Sequence, residues 1–526
     1  MTAEAGRPQA PSAAAAAVAS TRLGLIYAAL VAATLAPLAI WPIPPSFDLV
    51  NHWARLTLYH LAPDDPLATL YQVRLTPIPD LAVDLAGLAL SPILTPYGVI
   101  ALTWGAAIVL PAWGAWLVGK AVHGAPQPAV LLAPALAYNL AVTLGLLNFA
   151  IGMGLALIAF AAWLTIDRRR LRLRLALFNA AAIVLFFCHL AAFAALALLV
   201  ALYEAPPRPG ESRRAWAARL VVAPCCLLAG FALWAFAPPI DSRLSGPGSK
   251  LAALAAPMYD QTAAAGVVAT LVLVVIVAAG LLMRRVAFAP AMRLPLVGVA
   301  AVVALAPSAY GAADFIDARL AVLLAYLALA SLQGPSESAG KAWTAALAVV
   351  LVAARVGLAA PHWAAYDGWA AEFREAIRAV PPGARVLAVA PPMGRCPALD
   401  AADFYRGLVN FVVIDRRALA STLFTGRGMQ PVAAADPRLD ATPYAAASRL
   451  ARQPRLARPL RHADRSARRL RLAAGRSRPR ADRGNAASDD LPSALKPIWP
   501  NGRFGLCRGD FRTAPATAGG ARSDAA

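Results

Sequence analysis

The chain has 526 residues, 60% of them hydrophobic and only 15% charged, with a mean hydropathy of +0.59. Soluble domains sit nearer about 45–50% apolar, so an ordinary soluble enzyme is excluded. The net charge of +21 does not indicate a nucleic-acid partner: from Arg449 onward 17 Arg and one Lys face 6 Asp in one low-complexity tail. Most of the remaining excess lies in short loops between apolar runs, where the positive-inside bias of membrane proteins places it.

A membrane span needs about 20 apolar residues, and the runs of this chain predict an all-α polytopic membrane protein with about eleven spans over residues 23–360. Residues 1–22 read as a cytoplasmic segment, with Arg7 and Arg22 ahead of a first span at about 23–40. Trp41-Pro42-Ile43-Pro44-Pro45 follows instead of a small-residue cleavage pattern, so this helix is expected to be retained. Residues 41–96 carry Asp48, Asp64, Asp65, Asp80 and Asp84 against Arg55 and Arg74, and read as an acidic outer loop with amphipathic helices, one of them starting at Pro77-Ile78-Pro79.

A second span is expected over 97–118. The apolar stretch 129–166 would reach about 57 Å as one helix, against a hydrocarbon core of about 30 Å; it must turn back, and Gly145 and Asn148 mark the apex. Arg168 to Arg174 precede the stretch 175–203, and Arg208, Arg213, Arg214 and Arg219 follow it. Two basic flanks on one side require an up-and-down pair with its apex near Cys188-His189. Further spans are expected over 219–237, 263–283, 294–310, 319–333 and 342–360, which puts Arg284, Arg285, Arg293 and Lys341 inside and the loops 238–262 and 311–318 outside.

Trp369, Phe373, Ile377 and Val380 then recur at helical spacing. Residues 385–390 and 408–414 read as strands, so 361–444 is expected to form a small outer α/β region. From about 445 to 526 Arg, Ala, Pro, Gly and Ser dominate without periodicity. That is the composition of a disordered basic tail, or of a frameshift in a GC-rich gene, which resequencing tests. Cys188, Cys225 and Cys226 lie in apolar runs and read as small core residues; Cys396 and Cys507 lie outside them.

The ionisable residues gather at the expected outer rim. Asp48, His52 and Arg55 stand at i, i+4 and i+7, on one helical face. Asp80 and Asp84 repeat the i, i+4 relation. Asn148 and His189 sit at the two apices, Asp314, Asp317 and Arg319 at the mouth of the ninth and tenth spans, and Asp241, Arg243, Lys250 and Asp260 in another outer loop. Plain structural roles compete: helix capping for Asp48 and Asp80, a hydrogen-bonded core histidine for His189, snorkelling for Arg319, and backbone satisfaction at a helix break for Asn148. Collectively, ionisable groups at membrane depth point to function.

Pro44-Pro45-Ser46-Phe47-Asp48-Leu49-Val50-Asn51-His52-Trp53-Ala54-Arg55, the paired half-length helices, Gly145-Leu146-Leu147-Asn148-Phe149-Ala150-Ile151-Gly152 and a small outer C-terminal region together resemble the GT-C class of membrane glycosyltransferases over residues 20–415. The resemblance is nearest to the bacterial protein mannosyltransferase and aminoarabinose transferase branch. It implies transfer of a sugar from a polyprenyl-phosphate lipid to an acceptor at the outer face of the inner membrane. Asp48 is then the expected base, with His52 and Asp84 beside it as catalytic candidates. Arg319 is the expected phosphate ligand, backed by Arg55, Arg243 and Lys250, with His189, Asn148, Asp314 and Asp317 completing the substrate site. A divalent metal is the only cofactor the resemblance leaves open. The competing classes are a transporter or lipid flippase, whose charged groups belong near the midplane, and a non-catalytic scaffold, whose Asp48 face packs shut.

Overall fold

The computed structural model describes residues 13–237, 250–259, 263–310, 313–334, 338–386, 407–425 and 430–435. Arg243, Asp241, Asp260, Cys396, Cys507 and the tail after 435 lie outside the described residues. In chain order the helices are α1 (Ala13–Ala33), α2 (Ala36–Ile40), α3 (Leu49–Leu58), α4 (Ala82–Leu90), α5 (Pro96–His123), α6 (Leu140–Thr143), α7 (Leu147–Thr165), α8 (Leu171–Cys188), α9 (Leu190–Glu204), α10 (Arg213–Cys225), α11 (Leu228–Phe236), α12 (Lys250–Ala255), α13 (Ala263–Leu282), α14 (Arg293–Leu305), α15 (Ile316–Ser331), α16 (Ser338–Ala376) and α17 (Phe411–Arg416). The strands are short: β1 (Tyr71–Val73), β2 (Ala287–Phe288), β3 (Ala309–Tyr310), β4 (Ala313–Asp314), β5 (Leu332–Gln333), β6 (Arg385–Val386), β7 (Leu419–Ala420) and β8 (Val432–Ala434).

The architecture is that of an all-α membrane protein. Among the described residues five helices are long and apolar enough to cross a bilayer, or six if α10 and α11, bent by 47° at their junction, count as one span. This is fewer than the expected eleven, for identifiable reasons. Residues 128–136 wind as a 3-10 helix containing Pro134 and continue into the four-residue α6, so the first half of the 129–166 stretch is short and fully buried. Helices α9, α14 and α15 have 15, 13 and 16 residues, below the roughly 17 that a span needs.

Helix α16 corrects another boundary. The span expected over 342–360 and the helix carrying Trp369 and Phe373 are one continuous helix of 39 residues with Pro361 inside it. At 1.5 Å per residue it reaches about 58 Å, so it cannot lie wholly in a core of about 30 Å. Its buried Arg355 donates to the carbonyls of Tyr138 (3.0 Å) and Tyr259 (2.8 Å). An arginine inside an apolar bundle is tolerated when it finds such acceptors, and here it fastens α16 to two other segments.

The chain turns at Gly145, where φ is +78°, and runs back as α7. It reverses again at His189, where backbone φ is −170° and ψ 133°. Both free ends of the α8–α9 hairpin meet at one buried carboxylate, Glu204, which accepts from Trp163 at the end of α7 and from Arg168 before α8. Helices α7, α8 and α9 thus share two ends: one holding Asn148 and His189, the other basic and built on Glu204.

The C-terminal region also differs from expectation. Residues 408–414 form no strand; Phe411–Arg416 is helical, with Phe411, Val412 and Val413 buried. Their β-branched run favours a strand only where a pleated surface is offered. Here Phe411 instead packs its edge on Trp53 of α3 and lies under the Arg374 guanidinium. Strand β6 pairs in parallel with β7, and β8 pairs antiparallel with β1, Tyr71 facing Ala434 and Val73 facing Val432. Through β8 and β1 this region is stitched into the acidic loop.

Candidate active site

Asp48 immediately precedes α3 but makes no side-chain capping bond, and its Oδ1 is buried without a partner. Its backbone N–H donates to the carbonyl of Leu144 at 3.1 Å, pinning it against the Gly145 turn. That turn needs glycine twice over: φ is positive, and a Cβ would meet Ser46 Oγ at 2.4 Å and the Asp48 Cβ at 3.1 Å. Asn148, the second residue of α7, binds the acidic loop with both halves of its amide. Its Oδ1 accepts from the backbone of Val83 (2.8 Å) and its Nδ2 donates to the carbonyl of Asp80 (2.9 Å). Leu81 adds a backbone bond to the carbonyl of Phe187, at the end of α8. Between these ties Asp80 adopts φ +73°, a conformation that non-glycine residues hold only when the surroundings impose it. Helix α4 begins two residues later, so the helix expected from Pro77 starts only after this kink.

The motif Gly145–Gly152 therefore does four jobs: Gly145 makes the turn, and Asn148 clamps Asp80. Phe149 lies edge-on to His189 and 5.5 Å beneath the Arg319 guanidinium. Gly152 lets the α8–α9 apex approach, since a Cβ there would meet Ala192 at 2.7 Å and Cys188 at 3.0 Å.

Arg319, near the start of α15, places Nη1 2.6 Å from His189 Nε2. The backbone N–H of Ala191 donates to His189 Nδ1 at 3.0 Å. A neutral imidazole offers one acceptor only. An arginine only donates, so the Ala191 N–H and the Arg319 Nη1–H compete for that single acceptor. Arg319 Nε is a further buried donor without a partner. Ser46 Oγ, Asp48 Oδ1 and His52 Nδ1 are also buried and unpartnered. Buried polar atoms are nearly always paired, so four such atoms around one turn demand an explanation.

Charge separates the two carboxylates. Burial, and then the charge of Asp80, raise the Asp48 carboxyl well above the usual range. For Asp80 burial also pushes upward, but His189, Arg55, His52 and Arg319 outweigh it and hold the group below its ordinary value. Burial and the neighbouring Arg55 lower His52 to about 4. The charges around the turn thus draw the two carboxylates apart, Asp48 toward keeping its proton and Asp80 toward losing it.

Other candidates take structural places. Asp84 is fully buried in a two-pronged ion pair with Arg55, whose Nε lies 3.1 Å from Asp84 Oδ1 and whose Nη2 bonds Oδ2; Tyr59 donates to the same carboxylate at 2.6 Å. Arg55 also donates to Gln430 at 2.7 Å. Both are spent on each other, which fits a scaffold for α3 and α4 better than a catalytic acid or a phosphate ligand. Lys250 donates to Asp317 (2.9 Å) and to the carbonyls of Val303 (3.3 Å) and Ala306 (2.6 Å). Two of the three ammonium hydrogens close the end of α14 and the third pairs with Asp317 of α15, so Lys250 and Asp317 anchor helices. Asp314 is exposed.

The sequence reading did not single out Asn51 or Gln430, and it weighed Asp80 chiefly as a cap. Asn51 donates to the carbonyl of Thr422 (3.2 Å) and accepts from Phe424 (3.0 Å), so the segment around these two residues is fastened to α3. No local signal marks such partners, because they lie more than 370 residues away in sequence. Among the described residues no group of three or more His, Cys, Asp or Glu side chains is arranged to hold a metal ion, so the divalent metal left open by the resemblance finds no ligand set here. No protein-family model, curated protein or solved structure matches this chain.

Proposed function

We propose that this chain is a membrane glycosyltransferase of GT-C type, moving a sugar from a polyprenyl-phosphate donor to an acceptor hydroxyl. The reading is supported chiefly by one observation: Arg319, whose Nε is buried without a partner, stands beside His189 at the end of α7, α8 and α9 away from the basic Glu204 cluster, where Asn148 also clamps the Asp80 segment. In the proposed reaction the phosphate oxygens accept from the Arg319 guanidinium beside His189. The bond between the anomeric carbon and the phosphate oxygen breaks, and a new bond forms to the acceptor oxygen. The acceptor proton passes to the carboxylate pair. A lipid phosphate leaves readily as an anion, so no strong general acid is required.

Asp48 was the base expected from sequence. Its burial and raised proton affinity favour Asp80 for that role instead. Asp80 is half-buried, hence reachable, and its carboxyl is held below its ordinary value, whereas that of Asp48 is raised. The positive-inside rule, applied to the basic end, orients the site toward the periplasmic face of a bacterial inner membrane. The test is transfer of radiolabelled sugar from a polyprenyl-phosphate donor by purified protein in proteoliposomes; no transfer across a panel of such donors would remove the proposal.

The burial of Asp48, 7% exposed, favours a second reading, a non-catalytic membrane scaffold. Under it, Asp80→Asn changes no activity measured in membranes, whereas disruption of the Asn51 contacts changes partner binding.

A further inference from the structure

The opposite end of the bundle carries a second charged cluster that the transfer reaction does not use. Glu204, with 1% of its side chain exposed, ends α9, about 22 Å from His189 at 1.5 Å per residue. Its carboxylate receives Trp163 Nε1 (2.8 Å), Arg168 Nη2 (3.4 Å), Arg208 Nη2 (3.0 Å) and Arg219 Nη1 (2.7 Å). Arg219 is saturated: it also binds Glu211 with Nε and Nη2 and donates to the carbonyls of Glu204 and Pro206. Arg174 lies 3.9 Å over the Trp163 ring and donates to the carbonyls of Trp163 and Ile166.

Arg168 and Arg208 differ. Each commits only Nη2 to Glu204, and their side chains are 43% and 30% exposed. One buried carboxylate thus fixes two guanidinium groups side by side with Nε and Nη1 unspent. Between residues 167 and 219 nine arginines face three carboxylates, so the field is strongly positive. Beside the cluster, Leu173 and Leu177, one turn apart on one face of α8, are exposed, as expected for a surface that meets acyl chains.

We propose that Arg168 and Arg208 form a binding site for the phosphate of an anionic phospholipid headgroup, preorganised by Glu204. Guanidinium forks suit phosphate oxygens, and basic clusters at the ends of membrane helices attract anionic lipid. The apolar α8 face decides for a lipid over free phosphate.

The test uses the full-length protein in nanodiscs of mixed phosphatidylglycerol and phosphatidylcholine, with retained lipid counted by native mass spectrometry. Wild type is expected to retain phosphatidylglycerol preferentially, and Arg168→Gln/Arg208→Gln to retain at least about five-fold less. Arg213→Gln/Arg214→Gln removes the same charge from exposed positions nearby and is expected to retain it as wild type does. Equal losses in the two double variants would mean diffuse attraction, and equal retention in all three proteins would mean no site; either overturns the proposal. Displacement of the lipid by millimolar inorganic phosphate would assign the site to free phosphate and overturn it as well.

Discussion

Arg319 and His189, 130 residues apart, stand 2.6 Å from one another with Phe149 packed beneath both. The Ala191 N–H and the Arg319 Nη1–H both face ring nitrogens of an imidazole that offers one acceptor, so an anionic oxygen would be a better partner for the Arg319 donors. Under the proposed function, Arg319→Lys keeps the charge but loses the fork and the stack on Phe149. It is expected to raise the donor concentration needed for half-maximal transfer by about ten-fold, corresponding to about 1.4 kcal/mol. Unchanged donor dependence would detach Arg319 from phosphate binding.

Asp80 and Asp84 lie one helical turn apart in sequence yet should respond oppositely. Asp80→Asn is expected to fold normally and to lose about 10²–10⁴-fold in transfer rate, the usual contribution of a general base. Asp84→Asn leaves Arg55 buried without its counter-ion, a change that costs about 3–5 kcal/mol. It should appear as low yield and early melting in detergent. A well-folded, inactive Asp84→Asn protein would reverse these assignments, and full activity in Asp80→Asn would move the base elsewhere.

Gly145→Ala introduces a Cβ into Ser46 and Asp48 at a positive φ. A cost of about 1–3 kcal/mol is expected, with loss of activity because Asp48 is displaced. Gly124→Ala is the comparison: φ is also positive, +75°, but nothing lies within 4 Å. Equal melting temperatures for the two variants would show that the Asp48 contact does not matter.

His52 gives the fold a pH dependence of known sign. Its value falls from 6.5 to about 4 on folding, so the unfolded chain binds the extra proton first. Its contribution is complete above about 6.5 and is lost as pH falls toward about 4, with a slope of at most about 1.4 kcal/mol per pH unit. His52→Asn should flatten that slope in melting curves between these limits. An unchanged slope would assign the pH dependence to other groups.

Gln430→Ala removes one neutral partner of a buried guanidinium that retains Asp84. The expected loss is about 1.5–3 kcal/mol of stability, read as a lower melting temperature, with a smaller loss in transfer than Asp80→Asn. An effect on rate as large as that of Asp80→Asn would place the C-terminal segment within the reacting site.

Length, apolar content and periodicity by themselves determined that this is a helical chain suited to a bilayer, because burial of apolar side chains depends on composition and local spacing. They also located the turns at Gly145 and His189, since a helix twice the hydrocarbon thickness must reverse and basic flanks must share a side. Tertiary structure alone decided which helices stay short and that α16 runs unbroken past Pro361. It also turned residues 411–416 into a helix against Trp53. Above all, it decided which of two neighbouring carboxylates is free: Asp84 is spent on Arg55 and Tyr59, whereas Asp80 faces Asp48 and Arg319. That choice rests on partners distant in sequence, and a carboxylate's proton affinity is set by the charges folded around it, which local spacing does not encode.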